Sequence, residues 1–154
     1  FFSWFNIAGI KPNLFIILSL FIGIFIGKVY GGVIGILMGL LLDFFIGKTI
    51  GINAISLGLA GLLGGLFTKN FSKDSRLTII TMILIATFIF ETGIIIFNYF
   101  INGAQIGIGY LIKTLVIELI YNSIITIIIY PLIMKFGYRI EENFKENKIL
   151  TRYF

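Results

Sequence analysis

Five long apolar runs, broken by short stretches of glycine, lysine and asparagine, set the pattern of the chain. They extend over about Asn13–Gly27, Gly31–Gly47, Ile52–Phe67, Leu77–Ile101 and Ile106–Met134. No alternation of period two interrupts them, so the pattern predicts helices throughout. At 1.5 Å per residue, the first three runs, roughly 15 to 17 residues each, reach about 22–26 Å. The last two are long enough for a bilayer core of about 30 Å. Pro12 marks the start of the first run, and Pro131 falls near the end of the fifth. The expected fold is therefore an all-α, polytopic integral membrane protein in one transmembrane domain over 1–154, with a cytoplasmic tail at 135–154.

Composition supports a lipid-facing molecule. Hydrophobic residues make up 58% of the 154 positions and charged ones only 12%, where a soluble domain carries about a quarter charged. Such a chain has too few charges to cover its surface in water. The net charge of +5 is better explained by topology signals and lipid headgroups than by nucleic acid. The basic loop with Lys69, Lys73 and Arg76 and the basic tail with Lys135, Arg139, Lys145, Lys148 and Arg152 are placed on the cytoplasmic side. The uncharged Asn102–Gln105 loop faces outward, while Lys48 and Lys11 run against the rule. The opening Phe1, Phe2, Trp4 and Phe5 resemble an interfacial aromatic cluster at the end of an upstream helix, and no signal peptide is visible. Six spans with both natural termini cytoplasmic are expected on this basis. A five-span protein with a processed end is the alternative.

Glycine and the intramembrane polar residues carry the candidate contacts. Thirteen of the 18 glycines lie in residues 1–65. Gly31, Gly35 and Gly39 recur every four residues, Asp43 continues the row, and Gly61 and Gly65 repeat the spacing in the next run. Such a row lies on one helix face and lets backbones approach closely in lipid. Asp43 within it is either a contact for a partner or ligand, or a group that bonds neighbouring helices. In the fifth run Thr114, Glu118, Asn122, Thr126 and Tyr130 form a polar stripe, and in the fourth Thr87, Glu91, Asn98 and Asn102 form another. These stripes either seal against each other or grip a partner helix. By depth along antiparallel helices, Glu91 is expected to pair with Lys113, with Asp43 as the competing partner and snorkelling of Lys113 as the alternative.

Chemistry is scarce. The absence of His and Cys removes His-based acid–base catalysis, Cys nucleophiles and the usual zinc ligand sets. Glu91 and Glu118 are the only candidates for paired acids, and Ser56 and Ser123 stand without a base. The expectation is a non-enzyme with no cofactor, no metal and no catalytic residue.

The stretch from Gly31 to Gly65, GGVIGILMGLLLDFFIGKTIGINAISLGLAGLLGG, resembles the signature region of the rod shape-determining MreD family. The preceding FSWFNIAGIKPNLFIILSLFIG, and Asn122 followed by an aliphatic run to Tyr130 and a basic tail, are similar to the same family, so the likeness covers essentially the whole chain. It implies a non-enzymatic membrane scaffold of the bacterial cell-elongation complex (the elongasome) in the inner membrane, involved in cell shape and peptidoglycan synthesis. The implied partners are MreC and, through the complex, MreB, RodA and a class B penicillin-binding transpeptidase, besides membrane lipids. It also implies a first helix preceding this chain, and a fold like that of the substrate-binding components of energy-coupling-factor vitamin transporters. Such a component is the alternative function. Short outer loops and the lack of AxxxA coupling motifs speak against it.

Overall fold

The computed structural model describes residues 12–46, 50–68, 75–103 and 108–150, all of them helical or in the turns between helices. The aromatic opening cluster, Lys11, Lys48, Lys69, Lys73, Gln105 and Arg152 lie outside the described residues, as do the side chains of Asn98 and Asn102. Five helices follow one another: α1 (Leu14–Ile26), α2 (Lys28–Ile46), α3 (Ile52–Phe67), α4 (Arg76–Asn102) and α5 (Ile108–Leu150).

Local chemistry sets the helix ends. Pro12 cannot extend a helix backwards, and the Asn13 side chain accepts the Ile16 amide at 3.3 Å, capping α1. Gly27, at φ 122°, adopts a backbone that side-chain-bearing residues avoid, and α2 begins one residue later. Gly51, at φ 108°, plays the same part before α3 but brings no side chain to cap it. Consecutive helices alternate in direction, so α1, α3 and α5 run one way and α2 and α4 the other.

Helix α1 is the centre of the bundle and packs against all four others. Its Ile16, Ile17, Leu20, Phe21, Ile24 and Phe25 meet Leu57 and Ala60 of α3 and Ile79, Met82, Ile83, Ala86 and Phe90 of α4 in one buried cluster. Helices α2, α4 and α5 are long and apolar enough to cross a membrane, over Lys28–Phe45, Arg76–Phe97 and Leu111–Lys145, while α1 and α3 are shorter apolar helices. The shortness of α1 has a structural reason. Its first amide, that of Asn13, donates to Asn122 at 2.9 Å, and Asn122 lies about 21 Å along α5. Helix α1 thus starts level with Asn122, about a third of the way along α5.

The largest departure from the sequence expectation is α5. The fifth span was expected to run to Met134, with a tail from 135 that either extends the helix toward the headgroups or touches a cytoplasmic partner; α5 is a single 43-residue helix that passes through Pro131. Proline costs one backbone hydrogen bond, which a long membrane helix absorbs through its neighbours and small local adjustments. Beyond the proline, Gly137 lets the Phe25 ring settle on the α5 backbone, and Tyr138 meets that ring edge-on at 5.4 Å. The segment is therefore held by α1 rather than released as a tail.

Candidate functional site

Two helix junctions gather the residues singled out by sequence. The first joins α2 to α1 and α3. A Cβ placed on Gly31 would meet the backbone of Gly23 and the carbonyl of Gly61. On Gly35 it would meet the Leu57 carbonyl, and on Gly39 the backbone of Ala54. Gly61 faces the Gly31 carbonyl, and Gly65 faces the backbone of Lys28. Only hydrogen fits at these five positions, so backbone lies directly on backbone.

Sequence reasoning passed over three members of this junction. Gly23 lies against Gly61 and Gly65, Gly64 lies against the Leu20 carbonyl, and the buried Ser19 hydroxyl donates to the Leu57 carbonyl at 2.8 Å. The signal was present: Ser19, Gly23 and Gly27 are small residues four apart on α1.

Asp43 closes this junction at the far end of α2. It is 2% exposed, and its two carboxylate oxygens accept from the Gly51 amide at 2.8 Å, the Asn53 amide at 3.2 Å, the Asn53 side-chain amide at 2.8 Å and the Ala54 amide at 3.3 Å. The first amides of a helix have no partner within it and sit at the positive end of its dipole. Asp43 supplies from α2 the cap that Gly51 cannot give α3. All its acceptor capacity is used inside the chain.

The second junction joins α4 to α5. Asn122, fully buried, donates to the Thr87 hydroxyl at 3.0 Å while its side-chain oxygen accepts from Asn13, so a single amide ties α1, α4 and α5 together. One turn along, the side chains of Glu91 and Glu118 face each other across the two helices. Thr126 returns its hydroxyl to the Asn122 carbonyl at 2.7 Å. The Thr114 hydroxyl, one turn the other way, is buried without a hydrogen-bond partner among the described residues. In the same antiparallel register its opposite number on α4 is Ile95, which has nothing polar to offer.

Lys113 is not part of this network. Its side chain is exposed, and Glu91 meets Glu118 in place of the lysine. Depth along the helices was counted but rotation was not: Lys113 is one residue, about 100°, off the Thr114–Glu118–Asn122 row. Among the described residues, no group of three His, Cys, Asp or Glu side chains could hold a metal ion.

Apolar helices of membrane-spanning length, welded by glycine and laced by buried polar side chains, define a polytopic α-helical membrane protein. A family model described as rod shape-determining protein MreD matches residues 1–140, and the chain belongs to that family. No characterised protein and no solved structure matches the chain. The family is one of bacterial membrane proteins with a role in rod shape determination, and it is not a known enzyme family.

Proposed function

We propose that the chain is a non-enzymatic scaffold of the cell-elongation complex, holding MreC and, through the complex, MreB, RodA and a class B penicillin-binding transpeptidase near the site of peptidoglycan synthesis. The family match over residues 1–140 carries this reading. The polar chemistry is consistent with it, because Asp43 and Asn122 bond within the bundle and Glu91 and Glu118 face each other inside it. What remains outward on the spans is mainly apolar surface, suited to helix–helix contact in lipid. The inner-membrane location with Lys28, Arg76 and the end of α5 on the cytoplasmic side belongs to the same proposal, as does a fold of the energy-coupling-factor substrate-binding kind.

Co-purification in mild detergent from a rod-shaped bacterium tests it. MreC in the eluate at a fixed ratio is expected. An ATPase-linked transporter partner in its place would overturn the scaffold reading in favour of a vitamin-binding component.

A further inference from the structure

Helix α5 outruns α4. Phe136, Ile140 and Phe144 lie 18 residues beyond Glu118, Asn122 and Thr126, about five full turns, and so on the same side of the helix. That side faces α4 and α1, as the bonds of Asn122 to Thr87 and Asn13 show. Along the polar row it is buried, but Phe136, Ile140 and Phe144 are 52%, 44% and 39% exposed. The cause is the start of α4. Its first residue, Arg76, stacks over the Tyr130 ring with 5.6 Å between its guanidinium carbon and the ring centroid. Past that level, α5 has lost the neighbour against which this face packs.

The turn between α1 and α2 flanks the uncovered face on one side. Phe25 meets Tyr138 and Tyr30 meets Phe144, with ring centroids 5.4 and 4.9 Å apart. The result is a notch backed by α5, walled by the α1–α2 turn and closed above by the first turn of α4. Acyl chains do not reach it. Six of the ten residues from 139 to 148 are charged, far more than a segment in the hydrocarbon core tolerates. Ile140 and Phe144 also stand about 7 and 13 Å beyond Lys135 along the helix. Aromatic and aliphatic side chains grouped on one exposed face outside the acyl layer mark a protein contact.

Charge selects the occupant. Arg139 borders the face, and Lys28, Arg76 and Lys135 are exposed at the same end of the bundle. Of the acids, Glu141 is tied to Lys145 at 2.8 Å, and Glu142 points to the far side of the helix. A second copy of the chain would set this basic rim against itself. The chain's own segments 1–11, 69–74 and 151–154 each carry more basic than acidic residues, so they have the wrong sign as well. Apolar side chains with acidic neighbours satisfy both the face and its rim.

We propose that this notch is a docking site for an acidic amphipathic segment of a protein partner. Its aliphatic side chains lie on Phe136 and Ile140, and its carboxylates face Arg139 and Arg76. The inference does not rest on the scaffold reading, since it specifies a partner's chemistry and not MreC.

Photo-crosslinking of the full chain in living cells of the source bacterium tests it. Phe136 and Ile140 are replaced one at a time by p-benzoylphenylalanine, with exposed Leu37 of α2 as the lipid-facing control. The expected result is a protein adduct at 136 and 140 whose crosslinked peptide is net acidic, and lipid adducts at 37. Lys135→Glu with Arg139→Glu should lower the yield of that protein adduct by about tenfold, with the melting temperature of the purified chain unchanged. Lipid adducts at 136 and 140 would overturn the proposal. So would adducts confined to a second copy or to the chain's own segments, or no adduct at all. A yield that survives the charge reversal would equally contradict it, because the basic rim would then not be selecting the partner.

Discussion

Between α2 and its neighbours α1 and α3, glycines at positions 31, 35, 39 and 61 put backbone on backbone, whereas α4 and α5 meet through the side chains of Thr87, Glu91, Glu118 and Asn122. Both junctions answer the same problem. In lipid, apolar surface gains nothing by leaving the solvent, so helices are held by close packing or by hydrogen bonds. Close packing sums many weak dispersion contacts that fall off within an ångström, and it is lost if a single methyl intervenes. Hydrogen bonds between side chains tolerate small shifts, but each contributes only about 0.6 kcal/mol on average in a membrane. The two halves should therefore fail differently: the first abruptly and by steric insult, the second gradually and by loss of polar partners.

The largest effect is expected where bulk enters the glycine junction. Gly39→Leu would press a side chain into the backbone of Ala54 and should cost about 3 kcal/mol or abolish accumulation altogether. Leu37→Ala on the exposed face of the same helix should change the melting temperature little, which separates the junction from a general sensitivity of α2. Thermal unfolding of the detergent-solubilised protein reads both.

Next in size is the junction's polar end. Asp43→Ala strands the amides of Gly51, Asn53 and Ala54, and a loss of about 2 kcal/mol is expected. Asp43→Asn keeps one acceptor oxygen and should lose roughly half as much. Equal losses in the two variants would mean that the carboxylate is not acting as the cap of α3.

Smaller changes are expected between α4 and α5. A double-mutant cycle of Thr87→Val and Asn122→Leu should give a coupling of about 0.6 kcal/mol, with an upper bound near 1.7. The matching cycle of Glu91→Gln and Lys113→Met should be additive, because the lysine is exposed and outside the network. Coupling in the second cycle and none in the first would exchange the assigned partners.

The existence and order of the helices were open to reading because each apolar run is bounded by residues that stop a helix or change its polarity. Ile52–Phe67 has the same bounds in pattern and structure, and the ends of α1 and α4 differ by one residue. The fifth run was followed through Pro131 as far as Met134, and its continuation to Leu150 was not legible, because the apolar pattern stops there and the packing of Phe25 on Gly137 that holds the helix beyond it is a tertiary contact. The glycine row was legible as a face. What lies opposite it was not, because spacing along one helix says nothing about its neighbours. Asp43 shows the limit well: its place in the row was visible, but its role depends on α3 starting with a residue that has no side chain to cap it. Glu91 and Lys113 show the other limit, for depth along a helix was counted while rotation about its axis was not.

One substitution tests the backbone-on-backbone account through the sign of its effect. Inside a helix, Gly→Ala ordinarily stabilises by about 0.5–1 kcal/mol, because alanine has less backbone freedom to lose. At Gly35 the added methyl would meet the Leu57 carbonyl and the Ser19 hydroxyl, whereas at Gly109, near the start of α5, it would meet nothing within 4 Å. Melting of Gly35→Ala and Gly109→Ala beside the parent is the direct measurement. The predicted result is a lower midpoint for Gly35→Ala and an unchanged or higher one for Gly109→Ala. A rise at Gly35 would contradict the claim that α2 and α3 are joined backbone to backbone.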